Sequence, residues 1–224
     1  MAKRVKRNDP YRSWGGYPPA RHTQVLSATW RDDPIPPSAL TDSSCLCFGN
    51  GRSYGDACLN DGGALIDARG LDHFISFNPE DGVLECEAGL LLSDIIRVVL
   101  PKGWFLPVSP GTQFVTLGGA IANDVHGKNH HRAGSMGHHI QTLQLLRSDG
   151  SRLSCSLSEN SDLFRATIGG MGLTGLITRA QLQLKPVAGP YIDQELTPFS
   201  NIDEFLAISE KADTQFEHTV AWID

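Results

Sequence analysis

The sequence has no long apolar run, no excess of basic residues and no paired-cysteine motif. The formal net charge of −6 over 224 residues argues against a general nucleic-acid binder, because such proteins carry a basic surface. No window approaches the ~20 apolar residues of a membrane span, and the basic start is not followed by the apolar stretch of a secretory signal. These absences predict a cytoplasmic protein.

Cysteine is scarce, with five residues, an odd count and no C-x-x-C spacing. Most of these residues stand in apolar, strand-like contexts. We therefore expect small buried side chains in a reducing compartment.

The N-terminal region is basic and rich in proline. Its Lys and Arg residues predict a solvated, partly disordered arm over residues 1–21, with contact to an anionic lipid surface as the alternative: Lys3, Arg4, Lys6, Arg7 and Arg12. Prolines between residues 18 and 37 exclude a long helix, so residues 1–44 are predicted to be irregular.

Regular periodicity begins at Cys45. Alternation and turn residues predict these strands: Cys45–Phe48, Ala64–Asp67, His73–Asn78, Val83–Glu87, Ile140–Arg147, Ser151–Leu157, Ile177–Leu184 and Thr219–Ile223. Helical spacing or small-residue content predicts these helices: Leu90–Leu100, Thr116–Asn123, Ser161–Ile168 and Ile202–Ala212. We place a domain boundary after residue 187. The unit over residues 188–224 is too short to bury a core, so we expect the chain to end inside a domain.

The most informative stretch is Gly49–Asp56, which follows an apolar strand and has little side-chain bulk where the backbone turns. Such loops let backbone N–H groups converge on a phosphate, and Arg52 adds a positive charge. A nicotinamide Rossmann fold is disfavoured, because the few residues between Gly55 and Ala64 are too short for a parallel crossover. A Walker A loop is excluded because no Gly-Lys-Ser/Thr follows.

Two further glycine clusters have the same character, Pro110–Ala120 and Gly169–Gly175. Taken alone, the first is also explained by tight helix packing and the second by a helix end. Three such stretches in one chain indicate a long ligand that lies against the backbone, and a dinucleotide is long enough.

Histidines concentrate between residues 126 and 139. His126 and His130 have the i,i+4 spacing of a metal-binding pair, but Gly127 and Asn129 disfavour a helix there. The pattern therefore predicts a polar active-site wall, with His126 and Lys128 facing substrate or cofactor, and no metal site. Other histidines remain candidates for exposed loop positions: His130, His131, His138 and His139.

In this order, these motifs resemble the FAD-linked oxidoreductases of the vanillyl-alcohol-oxidase superfamily, especially its polyprenyl-phospho-ribose oxidases. The resemblance extends over residues 45–187, and the run His126–His131 is its most specific part. It implies an α+β fold, in which a PCMH-type FAD-binding domain over residues 22–187 comprises two α/β subdomains. One has a small mixed sheet and the other a larger, mainly antiparallel sheet. An incomplete substrate domain is expected to follow over residues 188–224.

The resemblance also implies the cofactor contacts. The first loop would contact the FAD pyrophosphate, through Gly49, Asn50, Gly51, Arg52, Ser53 and Tyr54. The other implied contacts are Gly111, Thr112, Thr116, Gly118, Gly119, Ala120, Asn123, His126, Gly127, Gly172 and Ile177. Many family members tether the flavin through a histidine in the first loop. Ser53 stands at that place here, which implies non-covalent FAD.

The implied reaction is oxidation of a secondary alcohol of a lipid-linked or free sugar to a keto product, with hydride transfer to flavin N5. His126 and Lys128 are the implied active-site residues, while the catalytic lysine of the family has no counterpart in this chain. A fragment without it is expected to be inactive. A short-chain dehydrogenase is the implied partner for the keto product. The alternatives are a short FAD-binding subunit with a partner chain, an alditol or sugar oxidase with a soluble substrate, and a non-catalytic scaffold.

Overall fold

The computed structural model describes residues 10–34 and 44–222. Its strands are β1 Gln24–Ser27, β2 Cys45–Phe48, β3 Ala64–Asp67, β4 Phe74–Asn78, β5 Val83–Glu87, β6 Trp104–Phe105, β7 Ile140–Leu146, β8 Arg152–Ser156, β9 Leu176–Gln183 and β10 Lys185–Pro186. Its helices are α1 Leu92–Val99, α2 Leu117–Ala122, α3 His130–Ala133, α4 Ser161–Thr167 and α5 Ile202–Gln215, with 3₁₀ turns at Leu100–Lys102 and Met136–His139. The predicted elements from Cys45 to Ala212 are confirmed, with small differences at their ends.

Two strand predictions were wrong. Residues 1–44 are not irregular throughout, because β1 pairs in parallel with β3. A four-residue strand carries little local periodicity, and its partner lies far along the chain. The strand predicted to begin at Thr219 does not form in its described part, which ends at Trp222. Those residues have no neighbouring strand within the described chain.

The strands form two main sheets. The small sheet has the order β1-β3-β2 and is parallel. The larger sheet has the order β4-β5-β9-β7-β8 and is antiparallel. A short antiparallel ribbon pairs β6 with β10. This arrangement confirms the α+β class, and both pairings in the small sheet are parallel.

The parallel pairing of β2 with β3 corrects the spacing inference made from Gly55 and Ala64. Residues 49–63 contain no helix, as expected, but they do form a parallel crossover. A crossover needs about a dozen residues, which an irregular loop supplies as well as a helix does. The glycine loop is itself the crossover, and it starts at the carboxyl end of β2.

Helices α1 and α2 pack with the larger sheet around the main core. Leu92, Ile95 and Val99 recur at the spacing that places them on one face of α1, and none of them is exposed. At the start of α2, the N–H of Gly118 donates to the carbonyl oxygen of Ala88 at 2.7 Å. A Cβ on Gly118 would lie 3.0 Å from the Ala88 Cβ, so the small residue permits this close contact.

The N-terminal segment packs on the small sheet from Tyr11 onward. The Tyr11 ring meets Phe48 edge-on at 5.3 Å, and its hydroxyl donates to Asp67 at 3.1 Å. The N–H of Trp14 donates to the carbonyl oxygen of Ser53 at 3.0 Å. The predicted disorder is therefore wrong for these residues, although Trp14 remains exposed, while the basic residues from Lys3 to Arg7 lie outside the described part.

A buried carboxylate ties the N-terminal region to the larger sheet. Glu87 Oε1 accepts the backbone and guanidinium N–H groups of Arg31 at 3.1 and 3.2 Å. Its Oε2 accepts the backbone N–H of His73 at 3.0 Å and lies 2.8 Å from His73 Nδ1. Burial raises the pKa of Glu87, but these hydrogen bonds outweigh it and hold that pKa below its ordinary value. Among the described residues, Asp72, His73 and Glu87 are also close enough to share a metal ion, although Glu87 is already occupied by these donors.

Beyond Pro186 the chain makes few contacts. Residues 189–201 form no helix or strand and are largely exposed, and α5 has no buried residue. The boundary after residue 187 stays a prediction. None of the helices in residues 10–34 and 44–222 is long and apolar enough to cross a membrane.

Replacing Glu87 with Gln is expected to lower the free energy of unfolding by about 2–3 kcal/mol at neutral pH, because an amide N–H would face N–H donors. A carboxyl group whose pKa is lower in the folded state than in the unfolded state stabilises the fold at pH values above its unfolded pKa, ordinarily 4.5. This stabilisation disappears as the pH falls through the folded pKa. Urea denaturation should therefore show a smaller difference between wild type and Glu87→Gln in acid. An equal difference at both pH values would contradict the role of Glu87.

Candidate functional site

The first wall of the main cavity is the loop after β2. A Cβ on Gly49 would lie 2.5 Å from the Thr116 hydroxyl oxygen, and a Cβ on Gly51 would overlap the carbonyl oxygen of Arg12. Gly51 also has φ +60°, a left-handed conformation that favours glycine. Glycine is therefore needed at both positions, because neighbouring segments approach the loop so closely.

The second wall is the start of α2. The Thr116 hydroxyl accepts the N–H of Gly119 at 3.1 Å and so caps the helix. Gly118 and Gly119 line the cavity and add no side-chain bulk. This wall faces the first loop across the Gly49–Thr116 contact.

The third wall is the turn before β9, where Gly172 and Gly175 have φ +78° and +138°. A Cβ on Gly175 would lie 2.6 Å from the carbonyl oxygen of Leu146. The guanidinium of Arg147 donates to the carbonyl oxygen of Thr174, and the hydroxyls of Thr174 and Thr167 lie 2.9 Å apart. These contacts hold the turn against the larger sheet.

The three walls enclose a cavity of about 380 Å³, within the range of small-molecule sites. The predicted cofactor residues that line it are Gly49, Asn50, Gly51, Arg52, Ser53, Tyr54, Thr116, Gly118, Gly119, Asn123, Gly172 and Ile177. Sequence reasoning did not assign the other lining residues, which are Cys47, Phe48, Ala57, Cys58, Ala68, Ala88, Val115, Ala122, Val125, Met171, Gly175 and Leu176. Most of these are small or apolar, and no local motif distinguishes them from core residues.

Five predicted residues lie outside the cavity wall: Gly111, Thr112, Ala120, His126 and Gly127. Ala120 is fully buried and belongs to the main core. His126 and Gly127 directly follow the lining residue Val125 in the chain; His126 is exposed and Gly127 is buried. Lys128, the predicted substrate contact, is also outside the wall and is exposed.

The loop around His126 has its own support. Asp124 Oδ1 accepts the N–H of Gly137 at 2.8 Å, and its Oδ2 accepts the Ser135 hydroxyl at 2.8 Å. The His126 ring meets the His130 ring edge-on at 5.4 Å. His139 Nε2 lies 2.9 Å from the Ala133 carbonyl oxygen and donates to it. Of the four histidines considered for exposed loop positions, His130 and His138 are exposed, whereas His131 and His139 are half-buried.

One guanidinium nitrogen in the wall lacks a hydrogen-bond partner in the described part of the chain. Arg52 Nε is buried and has no hydrogen-bond partner among the described residues. The guanidinium carbon lies 5.2 Å from the centre of the Trp14 ring, which holds the side chain in place. An unpaired buried N–H donor is costly, so this position favours an anionic acceptor.

The two thiols that line the cavity, Cys47 and Cys58, have raised pKa values and are therefore weak nucleophiles. Burial, with a smaller effect of Cys45, raises the pKa of Cys47 to about 12. The pKa of Cys58 is also raised, because the effect of burial outweighs that of a backbone hydrogen bond, which lowers it. Both remain protonated at neutral pH and act as small apolar side chains.

A family model described as an FAD binding domain matches residues 41–156. The chain belongs to this FAD-binding family. The match includes the first two walls of the cavity and the run His126–His131, whereas β1 and the third wall lie outside it.

Three relatives illustrate the breadth of the similarity to this FAD-binding domain. Decaprenylphosphoryl-beta-D-ribose oxidase of Mycolicibacterium smegmatis is 40% identical over 80% of this chain and 39% of that protein. D-lactate dehydrogenase of Anaerostipes hadrus is 25% identical over 68% of the chain and 33% of that protein. Delta(24)-sterol reductase of Homo sapiens is 27% identical over 62% of the chain and 27% of that protein. The chain therefore spans well under half the length of these curated relatives.

The cavity of the FAD-binding domain fits the cofactor that the family name implies. A dinucleotide is long, and three separate glycine-rich segments of the chain line the cavity. Its pyrophosphate needs cationic and N–H donors, and Arg52 supplies a buried N–H donor without a protein partner. The residues present can therefore hold FAD.

Gly51→Ala and Gly55→Ala form a matched pair, because the two glycines have φ +60° and +58°. Each variant introduces backbone strain of about 1–2 kcal/mol. Only Gly51→Ala also forces a Cβ into the Arg12 carbonyl oxygen, since nothing lies within 4 Å of the Gly55 position. Urea denaturation should show a clearly larger loss for Gly51→Ala. Equal losses would contradict the close packing of the first loop.

Proposed function

We propose that this domain binds FAD non-covalently, as the cofactor-holding part of an oxidoreductase. The proposed reaction is oxidation of a secondary alcohol of a polyprenyl-phospho-ribose-like substrate to its 2-keto form. The observation that carries the FAD site is the buried, unpartnered Arg52 Nε in a cavity with three glycine walls. The name of the Mycolicibacterium smegmatis relative supports the substrate class.

The first loop is the proposed seat of the pyrophosphate. The loop residues from Gly49 to Tyr54 line the cavity, so an anion bound there would lie next to the backbone N–H groups of the loop. The guanidinium of Arg52 is directed by its contact with Trp14 and would donate to the phosphate oxygens. The apolar residues of the opposite walls suit the flat rings of the cofactor.

Several features support non-covalent binding. No histidine lines the cavity within residues 10–34 and 44–222, and the lining residue Ser53 stands where the resemblance implies the tethering histidine of many family members. The two lining thiols, Cys47 and Cys58, are kept protonated by burial, so neither is a ready nucleophile.

When bound, FAD would supply the acceptor for hydride from the alcohol carbon. The domain's own share is to bind and orient the cofactor and to exclude water with its apolar walls. Lys128 is exposed, three residues after the lining residue Val125, and offers a cation to an anionic substrate, while the exposed His126 offers a ring N–H. Neither residue is proposed as the base that removes the hydroxyl proton. A 2-keto product would suit a short-chain dehydrogenase as the next enzyme.

Arg52→Met is expected to weaken FAD binding about 10–100-fold, because one charge-assisted contact to phosphate is lost. Titration of the chain with FAD, followed by absorbance at about 450 nm, gives the affinity. Arg97→Met, on an exposed part of α1, is the control and should bind like wild type. Acid precipitation of the complex should release all flavin into solution. Flavin that stays with the precipitate would contradict non-covalent binding, and equal affinities would contradict the seat at Arg52.

The substrate class is tested by anaerobic flavin reduction in the full-length protein. We expect bleaching with a polyprenyl-phospho-ribose and little with free alditols or D-lactate. Reduction by alditols alone would indicate a soluble-substrate oxidase instead. Reduction only after addition of a separate protein chain would indicate the short-subunit alternative.

A further inference from the structure

The last turn of α5 and the residues after it hold the loop that carries His126 and Lys128. We call residues 126–132 the histidine loop and residues 213–219 the latch segment. Three contacts join them, from the N–H of Thr219 to the Lys128 carbonyl oxygen at 3.1 Å, from His131 Nε2 to the Phe216 carbonyl oxygen at 3.4 Å, and from Arg132 Nη2 to the Asp213 carbonyl oxygen at 3.0 Å. The partners occur in opposite order along the two segments, so the segments run antiparallel.

Asn129 is the buried centre of this contact. Its side chain is 1% exposed, and its Nδ2 donates to the Pro107 carbonyl oxygen at 2.8 Å and to Glu217 Oε1 at 3.2 Å. Both partners are acceptors, which fixes the orientation of the amide. Asn129 Oδ1 has no hydrogen-bond partner among the described residues and lies 3.0 Å from where a Cβ on Gly127 would stand. The Asn129 side chain therefore joins three segments, which are the residues around Pro107, the histidine loop and the latch segment.

Glu217 completes the contact from the latch segment. The same Oε1 also accepts a hydrogen bond from Lys185 Nζ. Burial raises the pKa of Glu217, but Lys185 and Asn129 outweigh it and keep that pKa below its ordinary value. Because α5 buries no residue, its attachment depends strongly on this carboxylate and on the latch contacts.

We propose that Glu217 is a positioning residue, which fixes the histidine loop by accepting hydrogen bonds from Asn129 and Lys185. None of these three residues lines the cavity, so Glu217 acts through Asn129 on the placement of Lys128 and His126. The role of Lys128 toward substrate rests on the function proposed above. The latch itself is a property of the fold and does not depend on that function.

Hydrogen exchange of the chain, with and without added FAD, tests the latch. In Glu217→Ala, amide exchange in residues 126–134 should rise about tenfold, since a charge-assisted hydrogen bond is lost. Exchange in β5 and β9 should not change. Glu217→Gln keeps an acceptor oxygen and should retain most of the protection. Glu210→Ala, on the exposed surface of α5, is the matched control and should exchange like wild type.

The outcomes separate the latch from the proposed function. Unchanged exchange in residues 126–134 of Glu217→Ala would overturn the proposal, as would an equal rise across all peptides or a Glu217→Gln variant as unprotected as Glu217→Ala. FAD affinity should stay within about twofold of wild type in the three variants, because the cavity wall is untouched. A chain that binds no FAD at all would contradict the function proposed above, while its exchange pattern would still decide the latch.

Discussion

The cavity depends on how closely the loop after β2 approaches the start of α2. A Cβ on Gly49 would lie 2.5 Å from the Thr116 hydroxyl oxygen, so a side chain there would displace the hydroxyl that caps α2 or push the two walls apart. The same hydroxyl caps α2, and Gly118 lets the start of that helix pack closely against Ala88. The small sheet and the larger sheet also meet through apolar side chains such as Ile66, Leu146 and Leu176, and the cavity lies beside the contact between Gly49 and Thr116.

Among the residues that the structure describes, the cavity wall contains one guanidinium nitrogen without a hydrogen-bond partner. The buried carboxylate Glu87 is satisfied by Arg31 and His73, and Asp67 is satisfied by Arg69 and Tyr11. Arg52 differs, because its buried Nε has no acceptor within residues 10–34 and 44–222. In a protein interior such a donor is expected to have a partner, and an anionic ligand in the cavity would provide it.

The sequence predicted the parts that depend on local chemistry. The glycine clusters around Gly49, Gly118 and Gly172 are visible in the sequence itself. The spacing of apolar residues predicted α1. Long-range pairing was not predictable from local patterns. β1 pairs with β3, and Asn129 bonds to Glu217, across long stretches of the chain. Ala68 and Ala88 likewise line the cavity only because residues far apart in the chain come together there. Histidines in a loop likewise gave no sign that His139 bonds to Ala133 rather than to solvent.

The most direct measurement of the central claim follows the Arg52 Nε–H group by NMR. In a chain with ¹⁵N-labelled arginine, the Nε signal missing from Arg52→Lys identifies Arg52. Addition of FAD should shift that signal strongly and slow its exchange with water, because the donor gains a phosphate acceptor. Signals from distant arginines such as Arg97 and Arg165 should stay in place. FAD binding that leaves the Arg52 signal unchanged would contradict the account.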